Sequence, residues 1–201
     1  RVATNLKLSG IAHARTLESF NFDAEVDVSK QLIAELATLR FMHQSENVLF
    51  LGPPGVGKSH LATGLGLKAI EQGHRVYFIT LHDLVDRSRL ARQRDRLHHL
   101  SNTVTRPDLL VLDEVGYLPL EQMDATFLFQ IVSRRYEAGK PIILTSNKSY
   151  GSWHDIFPDA ILATALLDRL LDQSTTVNIR GESYRLRHRR QAGLSSGEEK
   201  A

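Results

Sequence analysis

Gly52-Pro53-Pro54-Gly55-Val56-Gly57-Lys58-Ser59 is the stretch on which the fold turns. It matches the phosphate-binding pattern G-x-x-x-x-G-K-[ST], the Walker A motif, at every fixed position. The apolar run Asn47-Val-Leu-Phe-Leu51 before it predicts a buried strand, and Leu61 to Ile70 after it reads as a helix. In a strand–loop–helix setting the glycines let backbone N–H groups converge on phosphate oxygens, and the helix N-terminus adds a positive partial charge. Lys58 is then expected to reach the β- and γ-phosphates and the Ser59 hydroxyl to ligate Mg²⁺, with residues 52–60, His60 included, lining the nucleotide.

Outward from this loop, apolar runs alternate with helical stretches. Strands are predicted at Val48–Leu51, Arg75–Thr80, Asp108–Asp113, Pro141–Ser146 and Thr175–Arg180. Helices are predicted at Lys58–Glu71, Gln122–Ala138 and Ala160–Leu171, the first two closed by Gly73 and Gly139. Thr80 and Asp83 form a helix-start signal after the second predicted strand. Strands separated by helices of this length imply an α/β fold, a five-stranded parallel sheet with helices on both faces. Ahead of it, Val28 to Phe41 has a helical pattern with Leu32, Leu36 and Leu39 on one face. The expected organisation is a linker and helix over 1–45, a nucleotide-binding domain over 46–190 and a disordered Gly/Ser/Glu-rich tail over 191–201. The chain opens on Arg1 rather than methionine, which predicts further chain N-terminal to it, with 1–45 as the remnant of that region.

A second half of the site follows from the third predicted strand. Leu109-Leu-Val-Leu-Asp113-Glu114 places two acids at the C-terminal end of a buried strand, the edge at which open α/β sheets bind ligands. Asp113 is expected to hold Mg²⁺, directly or through water, and Glu114 to polarise the attacking water as general base. Acids at strand ends also serve structure alone, and that alternative stands. Asn147, after the fourth predicted strand, is placed to orient the lytic water, or else belongs to an Asn-Lys-Ser turn. Asp113-Glu-Val-Gly116 and Asn147-Lys148 begin two guanine-nucleotide motifs, but Tyr150 stands where the guanine-reading Asp would be, so the expected nucleotide is ATP.

These motifs together resemble an AAA+ ATPase of the P-loop NTPase class. More narrowly, the chain is similar to the IstB-like transposition helper ATPases, relatives of the DnaC-type helicase loaders. Thr16-Leu-Glu-Ser-Phe20, Asp113-Glu-Val-Gly-Tyr-Leu-Pro119-Leu and Gly181-Glu-Ser-Tyr-Arg185 carry that narrower resemblance, which spans about residues 16 to 190. It implies that Asn147 is a sensor of the γ-phosphate and that a neighbouring subunit supplies an arginine finger, for which Arg169 in Leu166-Leu-Asp168-Arg169-Leu is the best match. The alternative for Arg169 is an exposed helix arginine paired with Asp172, and Arg134 and Arg135 are rivals for the cross-subunit contact. Phe20 and Phe22 match the adenine-flanking linker or are ordinary core. Little or no C-terminal lid is expected, and Arg185 is a weak match for a second sensor.

The net charge is only +2, yet six arginines and two aspartates lie between Val85 and Arg106, and a second basic cluster covers Arg180 to Arg190. Local basic patches on a near-neutral chain suggest a polyanion partner or a solvated helix face. The resemblance implies a nucleic-acid-binding helical element over Leu81–Leu100. On one continuous helix Arg89, Arg92 and Arg96 share a face suited to phosphates, with a possible break near Ser88. Few aromatics interleave, so backbone contacts to duplex DNA with weak sequence specificity are expected. The chain has no cysteine, which excludes disulfides and thiolate zinc sites and suits the cytoplasm. No apolar run approaches membrane-spanning length, so no membrane partner is expected.

The expected function is an ATP-dependent, DNA-binding helper for transposition, self-associating through ATP-bridged interfaces and acting with a transposase. A DnaC-type helicase loader is the alternative. A small-molecule kinase would need acceptor-binding and lid segments that Gly116–Met123 does not supply.

Overall fold

The computed structural model describes residues 2–13, 15–23 and 26–183. In chain order the elements are α1 (Val2–Leu8), β1 (Val26–Asp27), α2 (Lys30–Ala37), α3 (Arg40–His43), β2 (Asn47–Leu51), α4 (Lys58–Glu71), β3 (Val76–Thr80), α5 (Leu81–Gln93) and α6 (Leu97–Thr105). They continue with β4 (Leu109–Val115), α7 (Gln122–Glu137), β5 (Ile142–Ser146), a 3₁₀ turn (Tyr150–Asp155), α8 (Ala160–Leu171), β6 (Ser174–Asn178) and β7 (Arg180–Gly181).

The five strands predicted from the apolar runs form one parallel sheet in the order β3-β4-β5-β2-β6. In β2, β4 and β5 the runs are continuous rather than alternating because both faces are covered. Leu49, Leu110, Leu112 and Leu144 point to one face, under α5, α6, α7 and α8. Val48, Phe50, Val111 and Ile143 point to the other, under α4 and α2. β2 lies between β5 and β6, and every residue of it is buried.

Two hydrogen-bonding residues fix the lower, N-terminal edge of the sheet. Asn47 donates its amide to the Leu170 carbonyl at 3.1 Å and accepts the Ile142 N–H at 2.8 Å, joining β2 to α8 and β5. Arg135 is fully buried, and its guanidinium donates to the carbonyls of Val104, Thr105, Pro107, Asp108 and Pro141. Burial pulls its pKa down to about 9. With both terminal nitrogens bonded to carbonyls at the end of α6 and ahead of β4 and β5, and no exposed surface, Arg135 is an internal tie rather than a group for a neighbouring subunit.

Two helix predictions are corrected. The helix expected over 28–41 is broken: α2 ends at Ala37 with Thr38 as its C-cap, and Leu39 adopts φ 60° before α3 begins. Leu39 is fully buried, so its side-chain packing offsets the strain of a left-handed leucine. Ile33 and Leu36 are the buried residues of α2, with Leu32 partly buried against the same core. The helix over Leu81–Leu100 is also two helices. The break falls at Arg94–Arg96, where Asp95 has φ 53°. Ser88 is no break point, since it is buried within α5 and its hydroxyl bonds back to the Val85 carbonyl. The start of α5 is as predicted, with Thr80 Oγ1 accepting the Asp83 N–H at 3.1 Å.

A small antiparallel pair, β1 with β7, joins the N-terminal linker to the chain after β6. It had no sequence signal, being two residues long on each side. The basic residues Arg185 to Arg190 and the tail from Gln191 lie outside the described residues. Among the described residues no helix is long and apolar enough to cross a membrane.

Candidate nucleotide site

The glycine loop leaves β2 at the C-terminal edge of the sheet and runs into α4, whose N-cap is Gly57 at φ 97°. That left-handed turn needs glycine, and so does the space beside it, because a Cβ at 57 would sit 2.5 Å from the Phe20 ring. Phe20 therefore lies over the loop. It meets Phe22 edge-on at 4.8 Å and His60 edge-on at 5.3 Å, and both phenylalanines also pack on the core face under α4. Both phenylalanines are thus part of the core packing, and Phe20 also borders the glycine loop. His60 turns to the linker: its Nε2 donates to the Thr16 carbonyl at 2.8 Å and lies 3.1 Å from Ser19 Oγ. On the far side Ser183 approaches Gly55, so the segment after β7 borders the loop as well.

Lys58 is buried, and its ammonium donates to the carbonyls of Gly52 at 2.8 Å and Pro53 at 2.7 Å. Among the described residues no carboxylate pairs with it directly. Desolvation lowers its pKa to about 8, opposed in part by the charges of Asp113 and Glu114. A buried cation held only by neutral carbonyls is poised for an anion. Phosphate beside it would raise its pKa again, so binding above pH 8 must take up a proton. The ATP affinity is expected to be about tenfold weaker at pH 9 than at pH 7, with proton uptake visible by calorimetry in buffers of different ionisation enthalpy. An affinity unchanged between those pH values would contradict this role for Lys58.

The acids stand beside it. Ser59 Oγ donates to Asp113 Oδ1 at 2.8 Å, joining the start of α4 to the end of β4. Asp113 is buried, whereas Glu114 is exposed and turns out of the sheet with φ 61°. A non-glycine residue in that region costs about 1–3 kcal/mol and persists only where its surroundings hold it, often at functional sites. Asn147, just after β5, has its Oδ1 buried with no hydrogen-bond partner among the described residues, close to Gly116. A buried amide oxygen without a partner is costly in a finished core and suits a group or water that arrives with the ligand.

The donor set fits a magnesium–nucleotide complex. Loop amides and Lys58 suit phosphate; Ser59 and Asp113 supply the hard oxygen ligands that Mg²⁺ prefers. When bound, the ion would neutralise phosphate charge. β5 lies directly beside β2, which brings Asn147 to the same sheet edge as the loop.

The arginines fall elsewhere. Arg169 is near the C-terminus of α8, adjoining Leu170, whose carbonyl binds the first residue of β2. That is the sheet edge opposite the loop. Its guanidinium lies 4.7 Å from the centre of the Phe129 ring and donates to the Ala165 carbonyl at 3.3 Å. The alternative pairing with Asp172 is not formed; that carboxylate accepts from the Tyr136 hydroxyl. Arg134 donates to Ser101 Oγ and Asn102 Oδ1.

The shared face expected for Arg89, Arg92 and Arg96 is not formed, because Arg96 caps α6 beyond the break. Arg89 and Arg92 instead close on Asp124 of α7 at 2.7 and 3.1 Å, and the Asp124 side chain is 1% exposed. Arg94 and Arg96 are exposed in the turn between α5 and α6.

The family model for IstB-like ATP-binding proteins matches residues 1–192. The ATP-binding protein of insertion sequence IS5376 from Geobacillus stearothermophilus is 49% identical over 189 residues, which cover 94% of this chain and 75% of that protein. The ATP-binding protein of insertion sequence IS21 from Pseudomonas aeruginosa is 47% identical over 191 residues, covering 95% and 72%. Among solved structures, the DnaC helicase loader superposes with a TM-score of 0.69 at 22% identity, over 83% of this chain and 97% of that one. AMPPCP-bound DnaA from Aquifex aeolicus superposes with a TM-score of 0.68 at 22% identity, over 92% of this chain but only 57% of that one. At such identities the structural likeness establishes the shared AAA+ type fold.

Proposed function

Because the chain belongs to the family of IstB-like ATP-binding proteins, we propose that it is a Mg²⁺-dependent ATPase that assists DNA transposition, assembling on duplex DNA with ATP held between neighbouring subunits. The observation that carries the reading is the convergence of Lys58, Ser59, Asp113, Glu114 and Asn147 on one sheet edge while Arg169 sits on the other. In this reading Lys58 and the loop amides bind phosphate. Ser59 and Asp113 hold Mg²⁺, Glu114 accepts the proton of the attacking water, and Asn147 orients that water. Arg169 reaches the γ-phosphate of the next subunit. A transposase is the protein partner. Likeness of fold to the DnaC loader does not by itself favour helicase loading.

Sedimentation with a non-hydrolysable ATP analogue tests the assembly. A large complex is expected only when analogue and duplex DNA are both present, and it should be lost with Lys58→Ala. A chain that stays monomeric under all conditions contradicts the reading.

The clamp on Asp124 supports Arg94 and Arg96, rather than the three-arginine face, as the DNA contact in this reading. The variant carrying Arg94→Glu and Arg96→Glu should weaken duplex binding and lower the salt-dependence slope by about 2, with the melting temperature unchanged. Arg92→Ala should instead cost about 2 kcal/mol of stability, because it removes a charged hydrogen bond from a buried carboxylate. Fluorescence anisotropy across a salt series, beside thermal melts, separates the two. An unchanged slope in the double variant would remove this turn as a DNA contact.

A further inference from the structure

β4 and β5 are out of step at their C-terminal ends. Leu112 pairs with Leu144, but the next pair is Val115 with Ser146. Two residues of β4, Asp113 and Glu114, therefore stand opposite one residue of β5, Thr145. Such a two-against-one bulge interrupts the ladder and re-aims side chains, and it is uncommon between parallel strands. Here the interruption falls on the two acids of the site.

Thr145 bridges the gap with its side chain. Its hydroxyl accepts the Glu114 backbone N–H at 3.0 Å and donates its own proton to Asp113 Oδ1. The residue is 1% exposed, so neither bond has water to replace it. One hydroxyl thus orients the Asp113 carboxylate and holds the left-handed turn that carries Glu114 outward. Ser146 closes the far side of the bulge, donating to the Val115 carbonyl at 2.6 Å.

We infer that Thr145 is a positioning residue of the ATP site, whose hydroxyl sets at once the rotamer of the metal-binding acid and the direction of the general base. The inference rests on the ATPase reading above. With Ser59 and Thr145 both donating to Oδ1, Asp113 Oδ2 accepts from no described residue and is left for the metal side. Nothing in the sequence singles out Thr145, which looks like one more β-branched residue of a buried strand.

Valine keeps the shape of threonine and removes the hydroxyl; serine keeps the hydroxyl. The measurement is the ATP affinity with Mg²⁺ and in EDTA, together with kcat. In Thr145→Val the gain in affinity from Mg²⁺ and kcat should each fall about 10–100-fold, the usual cost of losing a partner that orients a metal ligand. Affinity in EDTA should stay within about threefold, which also reports a folded loop. Thr145→Ser should restore both quantities to within about threefold of wild type. Thr145→Ala is measured beside them, so that a misfolded valine variant still leaves a hydroxyl-free chain to read.

A folded valine or alanine variant with the wild-type gain from Mg²⁺ and the wild-type kcat would overturn the inference. So would a serine variant as impaired as valine, since the methyl group would then be what matters. Should wild type itself gain nothing from Mg²⁺, it is the ATPase reading that fails.

Discussion

Glu114→Gln is expected to lower kcat for ATP hydrolysis by about 10²–10⁴ while leaving ATP affinity near wild type. The geometry separates the two quantities. In the proposed site phosphate would be bound by Lys58 and the loop amides and the metal by Ser59 and Asp113, which lie beside one another. Glu114 is the exposed acid of the pair, turned away from Asp113 by its left-handed backbone. Glutamine keeps its size and most of its packing but cannot accept a proton from water. The exchange does not disturb the bond from the Glu114 N–H to Thr145, which belongs to the backbone. The variant should therefore bind ATP, assemble on DNA and stay assembled. Hydrolysis at the wild-type rate would remove the general-base assignment.

Arg169→Ala should lower kcat by about 10³–10⁵ in the assembled state, the range over which arginine fingers act. Within one chain Arg169 cannot serve the loop that Lys58 serves. The Leu170 carbonyl beside it binds Asn47 at the start of β2, and the loop leaves the other end of that five-residue strand. At about 3.3 Å per residue the two ends are roughly 13 Å apart, well beyond an arginine side chain. The fold should tolerate the change, since the contact with the Phe129 ring is worth about 1 kcal/mol. Arg169→Lys should not rescue, because an ammonium lacks the planar fork that spans phosphate oxygens. Full activity in Arg169→Ala would return the residue to a purely structural role on α8.

The parts of this molecule that could be read from its sequence are those where local pattern and tertiary structure agree. The apolar runs of β2, β4 and β5 became buried strands because both faces of the sheet are covered there, so nothing alternates. The loop and the Thr80 cap were legible because their chemistry is local to a few residues. The breaks at Leu39 and Asp95 were not, since neither has the glycine or proline that marks such turns; burial holds the leucine, while the aspartate sits in an exposed connection. The fate of Arg89 and Arg92 was hidden for another reason. Their partner Asp124 lies more than thirty residues away, and spacing along one helix says nothing about a carboxylate on another. The bulge that sets Asp113 and Glu114 against Thr145 is a register between two strands, invisible in either strand alone.

Mixing Lys58→Ala with Arg169→Ala on duplex DNA tests most directly the claim that the site is shared between subunits. Each variant alone should hydrolyse ATP at a small fraction of the wild-type rate. In the mixture, an intact loop from one chain meets an intact Arg169 from the other, so ATPase activity should reappear and rise with the fraction of mixed interfaces. A mixture no more active than the two variants separately would contradict an ATP site completed by its neighbour.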